Sequence, residues 1–373
     1  MGRSIQSGVS RLRVLLSIVL LAAGAAGQSL TAAQKSSMDR ALSYYLRENK
    51  VPGASLAVAL DGQVVYANAY GLADVENSVP VRPETVFRSA SIAKSMTATA
   101  AMQLVERRLL DLDQPIQTYC PAFPAKSWPI TSRQLLTHTS GIRHYGGPHA
   151  REELTSTAHY ADVADALAPF KDDPLLFEPG TRYSYSSFGY DVLGCVLQGA
   201  AHRPFLEIIR TGIFEPAGMR SSRDDDPAAL IPNRAAGYRL VDGRLQNAPH
   251  VDLSNRLPAG GYLNTATDLA RFAIAFLDCK LVACSSRDAM LTEARLKNGD
   301  RVSYGFGWEV LEDAGRHPTG EYLHVGSSQG ASGVLYIVPS RRLAVALLTN
   351  LEDVPQRLEI ARAIAGIALQ DRH

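Results

Sequence analysis

The sequence predicts an α/β fold of the α+β kind, in which helices flank one antiparallel sheet built from both ends of the chain. Two strand-like runs follow each other near the start, and several more come after residue 300. The stretch between them, about residues 115–297, consists mostly of short helical patterns and Pro/Gly-rich loops. Strands at both ends with helices between them favour a single sheet that carries an inserted, mainly helical region.

The individual elements follow from their residue patterns. Residues 36–49 predict a helix with four apolar side chains on one face, namely Met38, Leu42, Tyr45 and Leu46. The runs 53–60 and 63–71 flank Asp61-Gly62, a strong hairpin signal. The late strand-like runs are YGFGWEVL, EYLHVG, GVLYIVP and LAVALLTN, and a last helix is expected from about Gln356 to Ala368.

Composition narrows the class of protein. The chain has 373 residues, 46% of them apolar and 20% charged, which is typical of a globular protein with a large core. The formal net charge is +1 and the charges are dispersed, so no nucleic-acid partner is indicated. Asp224, Asp225 and Asp226 form a run of like charge, for which a solvated turn is favoured over a metal site.

The N-terminus has the parts of a secretory signal peptide. Its basic start is followed by an apolar run at residues 14–23, and AGAAGQ at residues 23–28 offers small residues for cleavage; the basic residues are Arg3, Arg11 and Arg13. We expect the mature chain to begin between Ala26 and Gln28.

Two other interpretations of this segment are weaker. As an uncleaved anchor, residues 14–27 would span only about 21 Å as a helix, too short for a hydrocarbon core of roughly 30 Å. A mitochondrial presequence would be amphipathic rather than a compact apolar block. We therefore expect a signal peptide at 1–27, a mature domain at 28–373, a secreted or periplasmic location, and no stable membrane insertion after processing.

The chain has four cysteines, at positions 120, 195, 279 and 284. In an exported protein, Cys279 and Cys284 are close enough along the chain to close a small disulfide loop. Cys195 lies in an apolar helical pattern, which favours a buried small hydrophobic side chain.

Ser91 and Lys94 lie three residues apart at a predicted helix start, in VFRSASIAKSMTATAAMQLVE. Side chains at this spacing share one helix face, so the amine can reach the hydroxyl. The helix start also places the Ser91 N–H among unpaired amides, where the helix dipole favours developing negative charge. One interpretation is structural: an N-cap serine beside a surface lysine. The other interpretation is catalytic: a serine nucleophile beside a buried lysine whose pKa is lowered by burial.

The segment FRSASIAKSMTATAAM closely resembles the nucleophile segment of the serine β-lactamase and penicillin-binding superfamily, in its class C β-lactamase-like branch. Within it, LDLDQPIQTYCPAFP and LLTHTSGIRHY are most similar to segments of the serine β-lactamase-like LACTB proteins. The resemblance extends from about Ser36 to Ala368. It implies a β-lactamase/transpeptidase-like fold, a serine hydrolase domain at 28–373, and catalytic roles for Ser91 and Lys94.

The second motif of this branch is Tyr-x-Asn, between a Pro-Gly turn and a helix. PGTRYSYSSFGYDVLG matches it, which places Tyr185 as the general base and Ser187 where the branch often has Asn. A phenol keeps its proton to about pH 10, and we expect two nearby cations, one of them Lys94, to lower that pKa or share the proton. Ser187 lacks the reach and paired donor and acceptor of an amide. Tyr183 and Tyr190 are interpreted as packing residues.

The third motif is Lys-Thr-Gly or His-x-Gly on a strand. In this chain it is His324-Val325-Gly326, within YLHVGSSQGASGVLYIVP. Gly326 is expected to let substrate approach the backbone. The resemblance implies that the Ser327 N–H completes an oxyanion hole with the Ser91 N–H. The other histidines are given structural or surface roles; they are His138, His144, His149, His159, His202, His250 and His317.

The resemblance implies a secreted serine hydrolase that forms an acyl-enzyme at Ser91 and uses no metal or organic cofactor. Its substrates would be small molecules or peptides with amide or ester bonds. Weak β-lactamase activity is expected, because Ser187 is short and His324 carries little positive charge at neutral pH. The alternatives are a penicillin-recognising sensor with little turnover, or a filament-forming structural protein. A homo-oligomer is compatible with each of these three functions.

Overall fold

The computed structural model describes residues 1–2, 29–146, 150–315 and 317–370. The predicted signal peptide and its cleavage region lie almost wholly outside the described residues, so both stay predictions. Within the described ranges, no helix is long and apolar enough to cross a membrane.

Strands from both ends of the chain meet in one antiparallel sheet, as predicted. The strands are β1 (Gly53–Leu60), β2 (Gln63–Asp74), β3 (Val79–Pro80), β4 (Phe87–Arg88), β5 (Arg223–Asp224), β6 (Tyr238–Val241), β7 (Arg244–Asn247), β8 (Tyr262–Asn264), β9 (Ala294–Arg295), β10 (Arg301–Val302), β11 (Glu309–Glu312), β12 (Pro318–Ser328), β13 (Ala331–Val338) and β14 (Leu343–Thr349). The main sheet has the order β11-β12-β13-β14-β1-β2-β3, so that β1 pairs with β14 and joins the two ends.

Helices cover both faces of this sheet. The helices are α1 (Ala32–Glu48), α2 (Ala93–Glu106), α3 (Ser132–Leu136), α4 (Ala150–Leu154), α5 (Ser187–Ala201), α6 (Phe205–Ile209), α7 (Glu215–Ala217), α8 (Leu257–Gly260), α9 (Ala266–Leu277), α10 (Cys284–Met290) and α11 (Arg357–Ala368). The helices α1 and α11 pack on one face, and α9 packs on the other.

The burial of β1 explains its unbroken apolar sequence. Every residue of this central strand is buried, because alternate side chains point to opposite faces and both faces are covered. Ala57 and Ala59 join the core beneath α2 and α9, whereas Leu56 and Val58 join the core beneath α1 and α11.

The inserted region between α2 and β11 contains α3 to α10, in keeping with the expected helical character. It also holds short strands that the residue patterns did not indicate: β5 and β8, which form a sheet with β4, and the β6-β7 and β9-β10 hairpins. Only the last three residues of the run YGFGWEVL are strand, at the start of β11, because Gly307 takes a left-handed φ of 77° just before them.

All four cysteines are paired. The expected bridge between Cys279 and Cys284 is present, with a Cα–Cα distance of 5.1 Å. The interpretation of Cys195 as an unpaired hydrophobic side chain is wrong, because Cys195 is bonded to Cys120 across 75 residues of sequence. This second bridge ties α5 to the loop after α2, a contact that residue spacing does not reveal.

Candidate active site

Ser91 lies in a 3-10 turn, Ala90–Ile92, that leads directly into α2. Ala90 holds a left-handed φ of 48°, an uncommon conformation for a residue with a side chain. Two glycines let other segments pack closely on this turn. A Cβ at Gly326 would lie 2.3 Å from the Ser89 carbonyl oxygen, and one at Gly260 would lie 3.2 Å from the Ala90 carbonyl carbon. The packing of β12 on the turn therefore requires Gly326, a different reason from the expected approach of substrate.

Lys94 is completely buried beneath Ser91. Its Nζ lies within hydrogen-bond distance of three oxygens: Ser91 Oγ at 3.0 Å, Ser187 Oγ at 3.1 Å and the Ala259 carbonyl at 2.8 Å. Burial lowers the Lys94 pKa to about 7, with a smaller lowering from the charge of Arg256 and an opposing effect from Asp191. Near neutral pH, a substantial fraction of Lys94 is therefore a free amine.

A neutral Lys94 fits this set of partners. An uncharged amine has two N–H donors and one lone pair, whereas a carbonyl oxygen can only accept. The Ala259 carbonyl therefore accepts one N–H of Lys94. The hydroxyl of Ser91 or of Ser187 can donate to the lone pair of the amine. When Ser91 is that donor, its proton points at the base that would remove it.

Asp191 and Arg256 are two buried ionisable residues that act on Lys94 and were not predicted. Asp191 lies one helical turn after Ser187 on α5 and is 1% exposed. Burial raises its pKa to about 8, although the charges of Lys94 and Arg256 oppose this shift. Arg256 is 5% exposed and ends a 3-10 turn, Leu253–Arg256, before α8. The spacing of Ser187 and Asp191 could have drawn attention to Asp191, but nothing in the sequence signals the burial of Arg256.

Tyr185 lies beside Ser91, as the second motif implies. Its ring packs on His138 with centroids 4.2 Å apart, and Lys94 Nζ lies 5.1 Å from its ring centroid. The expectation that cations lower its pKa is wrong. Burial raises the Tyr185 pKa above the usual range, and a hydrogen bond with the Ser91 side chain offsets this only in part. At neutral pH Tyr185 therefore holds its proton.

Ser187 begins α5 and holds the base rather than extending toward a substrate. It is 4% exposed, its hydroxyl bonds Lys94, and its N–H donates to His144 Nδ1 at 3.1 Å. Tyr190, on the same helix, is buried and donates to the Leu136 carbonyl, so its packing role fits the structure. Tyr183 is about half-exposed, but its ring meets His138 edge-on with centroids 6.1 Å apart, so packing describes it only in part.

His324 is placed differently from a substrate-binding residue. It is 1% exposed, and its two ring nitrogens contact the Val325 carbonyl at 2.8 Å and the Tyr304 hydroxyl at 2.9 Å. A carbonyl can only accept, so Nδ1 carries the proton and Nε2 accepts from Tyr304. Burial and the charge of Lys94 lower the His324 pKa to about 3. His324 is therefore neutral, as expected, but it offers no free ring nitrogen to a ligand.

Ser327 borders the same cleft as Ser91. Its hydroxyl donates to Asp353 Oδ1 at 3.0 Å and receives a hydrogen bond from Arg357. Arg357 also donates to the Gly326 carbonyl, which fixes the peptide between Gly326 and Ser327. The oxyanion role of the Ser327 N–H remains a prediction.

Of the histidines given structural or surface roles, one supports the site as expected and another lies in the cleft. His138 is buried beneath Tyr185, and its Nδ1 accepts from the Ser186 N–H at 3.1 Å, so its role is structural support. His144 lines the cleft beside Ser91, and burial lowers its pKa to about 4. Because His144 Nδ1 accepts from Ser187, the ring proton lies on Nε2.

Two cavities meet at Tyr185. A cleft of about 360 Å³ contains Ser91, Ser187, Arg256 and Ser327. A second cavity, of about 620 Å³, is lined by Tyr183, Glu309 and His324 but not by Ser91. Within residues 29–146, 150–315 and 317–370, no cluster of three or more His, Cys, Asp or Glu side chains is arranged to hold a metal ion.

Comparison with known proteins identifies relatives by sequence and a solved structure with a similar fold. A mouse mitochondrial serine β-lactamase-like protein, LACTB, is 29% identical over 81% of this chain and 74% of its own length. Esterase EstB of Burkholderia gladioli is 35% identical over 84% of this chain and 89% of its own. A solved class C β-lactamase has a TM-score of 0.73 at 22% identity, covers 90% of this chain and 96% of its own, and confirms the fold.

The family model described as Beta-lactamase matches residues 38–369, nearly the whole described chain. The resemblance to serine β-lactamases, penicillin-binding proteins and LACTB proteins is thereby confirmed. A family that includes an esterase and penicillin-binding proteins supports serine hydrolase activity in general. This chain belongs to the Beta-lactamase family.

Proposed function

We propose that the protein is a serine hydrolase that forms an acyl-enzyme at Ser91 and acts on amide or ester bonds. The observation that carries this proposal is the contact between the fully buried Lys94 Nζ and Ser91 Oγ, at 3.0 Å. A lysine with a pKa lowered to about 7 can accept a proton near neutral pH, which ordinary lysines cannot.

Acylation begins with neutral Lys94. As Ser91 Oγ bonds to the substrate carbonyl carbon, its proton moves to Lys94 Nζ, and the carbonyl oxygen becomes an oxyanion. The N–H groups of Ser91 and Ser327 are the donors assigned to that oxyanion. One such donor lowers the barrier by roughly 3–4 kcal/mol.

Tyr185 is assigned as the donor to the leaving group. Because it keeps its proton, its hydroxyl can protonate the departing oxygen or nitrogen as the bond to the carbonyl carbon breaks. The Tyr185 phenolate then takes back the proton held by the neighbouring Lys94, so that both residues return to their starting protonation states. In deacylation, water gives a proton to Lys94 and its oxygen to the acyl carbon, and Ser91 regains its proton as the acid product leaves.

The leaving group and the acyl group are assigned to different cavities. The acyl group stays bonded to Ser91, so it occupies the 360 Å³ cleft that contains Ser91. The leaving group departs beside Tyr185, where the 620 Å³ cavity opens. The ring-nitrogen side of a β-lactam, which carries its carboxylate, would therefore face neutral His324 and acidic Glu309. This placement supports esters and peptides over β-lactams as substrates.

Export is part of the proposal. Two disulfides use all four cysteines, and such bridges persist in oxidising compartments. Together with the predicted signal peptide, they support a secreted or periplasmic location. N-terminal sequencing of secreted protein tests this, and a mature chain that still begins at Met1 in the membrane would contradict it. A homo-oligomer also stays a prediction, to be tested by mass measurement in solution.

Turnover separates the hydrolase from its alternatives. We expect the purified mature protein to hydrolyse short-chain p-nitrophenyl esters or peptide anilides over many cycles. A covalent adduct with a single turnover would instead indicate a sensor that acylates and stalls. Absence of both adduct and turnover would favour a structural, filament-forming role.

A further inference from the structure

Arg256 is a buried cation that lines the catalytic cleft and takes no part in the mechanism above. Three of its contacts hold the guanidinium in place. Nε donates to Asn255 Oδ1 at 2.9 Å, and Nη2 donates to the carbonyls of Glu153 and Leu154 at 2.8 and 3.3 Å. The group also lies 5.0 Å from the centroid of the Tyr145 ring. Arg256 is therefore rigidly placed at the wall of the cleft.

The charge of Arg256 lacks a direct partner among the described residues. No carboxylate of those residues lies within salt-bridge distance, and Nη1 makes no hydrogen bond with them, although the side chain is 95% buried. Buried charges in proteins are normally paired, because an isolated charge loses its hydration without compensation. A buried arginine without a carboxylate partner can bind an anionic group of a ligand. The planar guanidinium matches the two oxygens of a carboxylate.

The acidic residues near the cleft do not supply that partner. Burial raises the Asp191 pKa to about 8, so at pH 7 its carboxyl is mostly protonated. Glu352 and Asp353 also border the cleft, but they are engaged elsewhere. Glu352 Oε1 accepts from the Gly330 N–H at 2.9 Å, and Asp353 Oδ1 accepts from the Ser327 hydroxyl at 3.0 Å.

A second donor lies in the same cleft. His144 carries its proton on Nε2, and this nitrogen makes no hydrogen bond within the described part of the chain. Arg256 and His144 thus offer a charged and a neutral donor in the cavity that contains Ser91.

We propose that Arg256 binds a carboxylate carried by the acyl group of the substrate, so that the enzyme prefers esters or amides of dicarboxylic acids over uncharged acyl groups. This inference rests on the proposed function, because it requires an acyl group bonded to Ser91. Arg256 is then a specificity residue of the acyl site.

The test compares matched substrates. Mono-p-nitrophenyl esters of glutaric, adipic and pimelic acids each carry a free carboxylate at a different distance from the scissile bond. Their methyl-capped counterparts are uncharged but have nearly the same shape. For the best chain length, we expect kcat/KM of the wild type to favour the free acid by about ten- to hundredfold, the usual range for a charge-assisted hydrogen bond. Because Arg256 is buried, added salt should reduce this preference only slightly.

Substitutions test whether Arg256 causes the preference for free-acid esters. Arg256→Gln should bring the ratio of free acid to capped ester to about one, whereas Arg256→Lys should retain part of it. Arg182→Gln removes an exposed arginine that does not border the cleft, and should leave the ratio unchanged. If Arg256→Gln fails to fold, inhibition of the wild type by free adipate and by its dimethyl ester provides the second measurement, and the diacid should compete at least about tenfold more strongly.

The outcomes separate the inference from the proposed function. Equal hydrolysis of free-acid and capped esters by the wild type would overturn the role of Arg256 and leave the hydrolase intact. A preference that survives in Arg256→Gln would also overturn it. Absence of hydrolysis with every ester, together with no adduct at Ser91, would overturn both.

Discussion

The two cavities that meet at Tyr185 differ in the charge that surrounds them. On the cleft side, Lys94 and Arg256 are buried cations or potential cations close to Ser91. On the other side, the more deeply buried polar residues are neutral His324 and acidic Glu309, while the exposed Arg301 at the cavity edge is paired with Glu293. Burial raises the Glu309 pKa, with an opposing hydrogen bond from the Val325 backbone.

This difference shows how a family scaffold can change its substrate without a change in its nucleophile. Both cavities are built on the same strand, β12, and share Tyr185 and Val325 in their walls. A positive charge on the leaving-group side would suit a β-lactam carboxylate. Here the buried positive charge lies in the cleft with Ser91, so the proposed acyl site would favour negative charge on the opposite side of the scissile bond.

The largest effect is expected from removal of the base. Lys94→Met keeps an unbranched side chain in the buried site but cannot accept a proton. We expect kcat/KM for a short-chain ester to fall by about 10²–10⁴-fold, the usual contribution of a general base. Lys297→Met provides the control, since Lys297 is an exposed lysine paired with Glu178. Activity of Lys94→Met within a few-fold of wild type would show that Lys94 is not the general base.

A smaller effect is expected for β-lactams. We expect kcat/KM for nitrocefin to lie at least about tenfold below that for a short-chain ester, because a unit charge near the cleft changes the barrier by about 1–4 kcal/mol. Glu309→Gln removes the acidic group on the leaving-group side and should raise the relative rate with nitrocefin.

Asp300→Asn is the matched control for this comparison. Asp300 borders the same cavity but is exposed, so solvent screens its charge. A wild type that already prefers nitrocefin, or a Glu309→Gln variant with an unchanged ratio, would show that the charge difference between the cavities does not select substrates.

The smallest effect is expected in the pH dependence. Only neutral Lys94 is active as the base, so kcat/KM should fall about tenfold per unit below pH 7 and level off above the Lys94 pKa of about 7. The charge of Arg256 lowers that pKa, so Arg256→Gln should move the limb to higher pH. A limb that moves to lower pH in Arg256→Gln would contradict its assignment to Lys94.

The main sheet was predictable because its strands carry long runs of apolar residues. The strands β1 and β14 are buried on both faces, so GASLAVAL and LAVALLT indicate strand without any knowledge of their partners. The short strands of the insertion were not predictable, since two- to four-residue segments such as β5 and β9 have too few residues for a period. Their strand geometry comes from tertiary contacts.

The site was predictable in its residue positions but less so in its ionisation. Ser91, Lys94 and Tyr185 lie together as the motifs implied, because each motif specifies its residues together with the turn or helix start that positions them. The pKa of Tyr185 was predicted in the wrong direction, because burial dominates and depends on distant segments. Arg256 was missed for the same reason, as 165 residues separate Ser91 from Arg256 and only the fold places both in one cleft.

The central claim is that Ser91 is the nucleophile, and intact-protein mass measurement after fluorophosphonate treatment tests it most directly. We expect wild type to gain one phosphonyl adduct, with the modified peptide containing Ser91. Ser91→Ala should gain none while it unfolds at a temperature close to that of wild type. Ser95→Ala, a serine on the same helix that bonds the Gly307 carbonyl, should still be labelled. An adduct that persists on folded Ser91→Ala would contradict the claim.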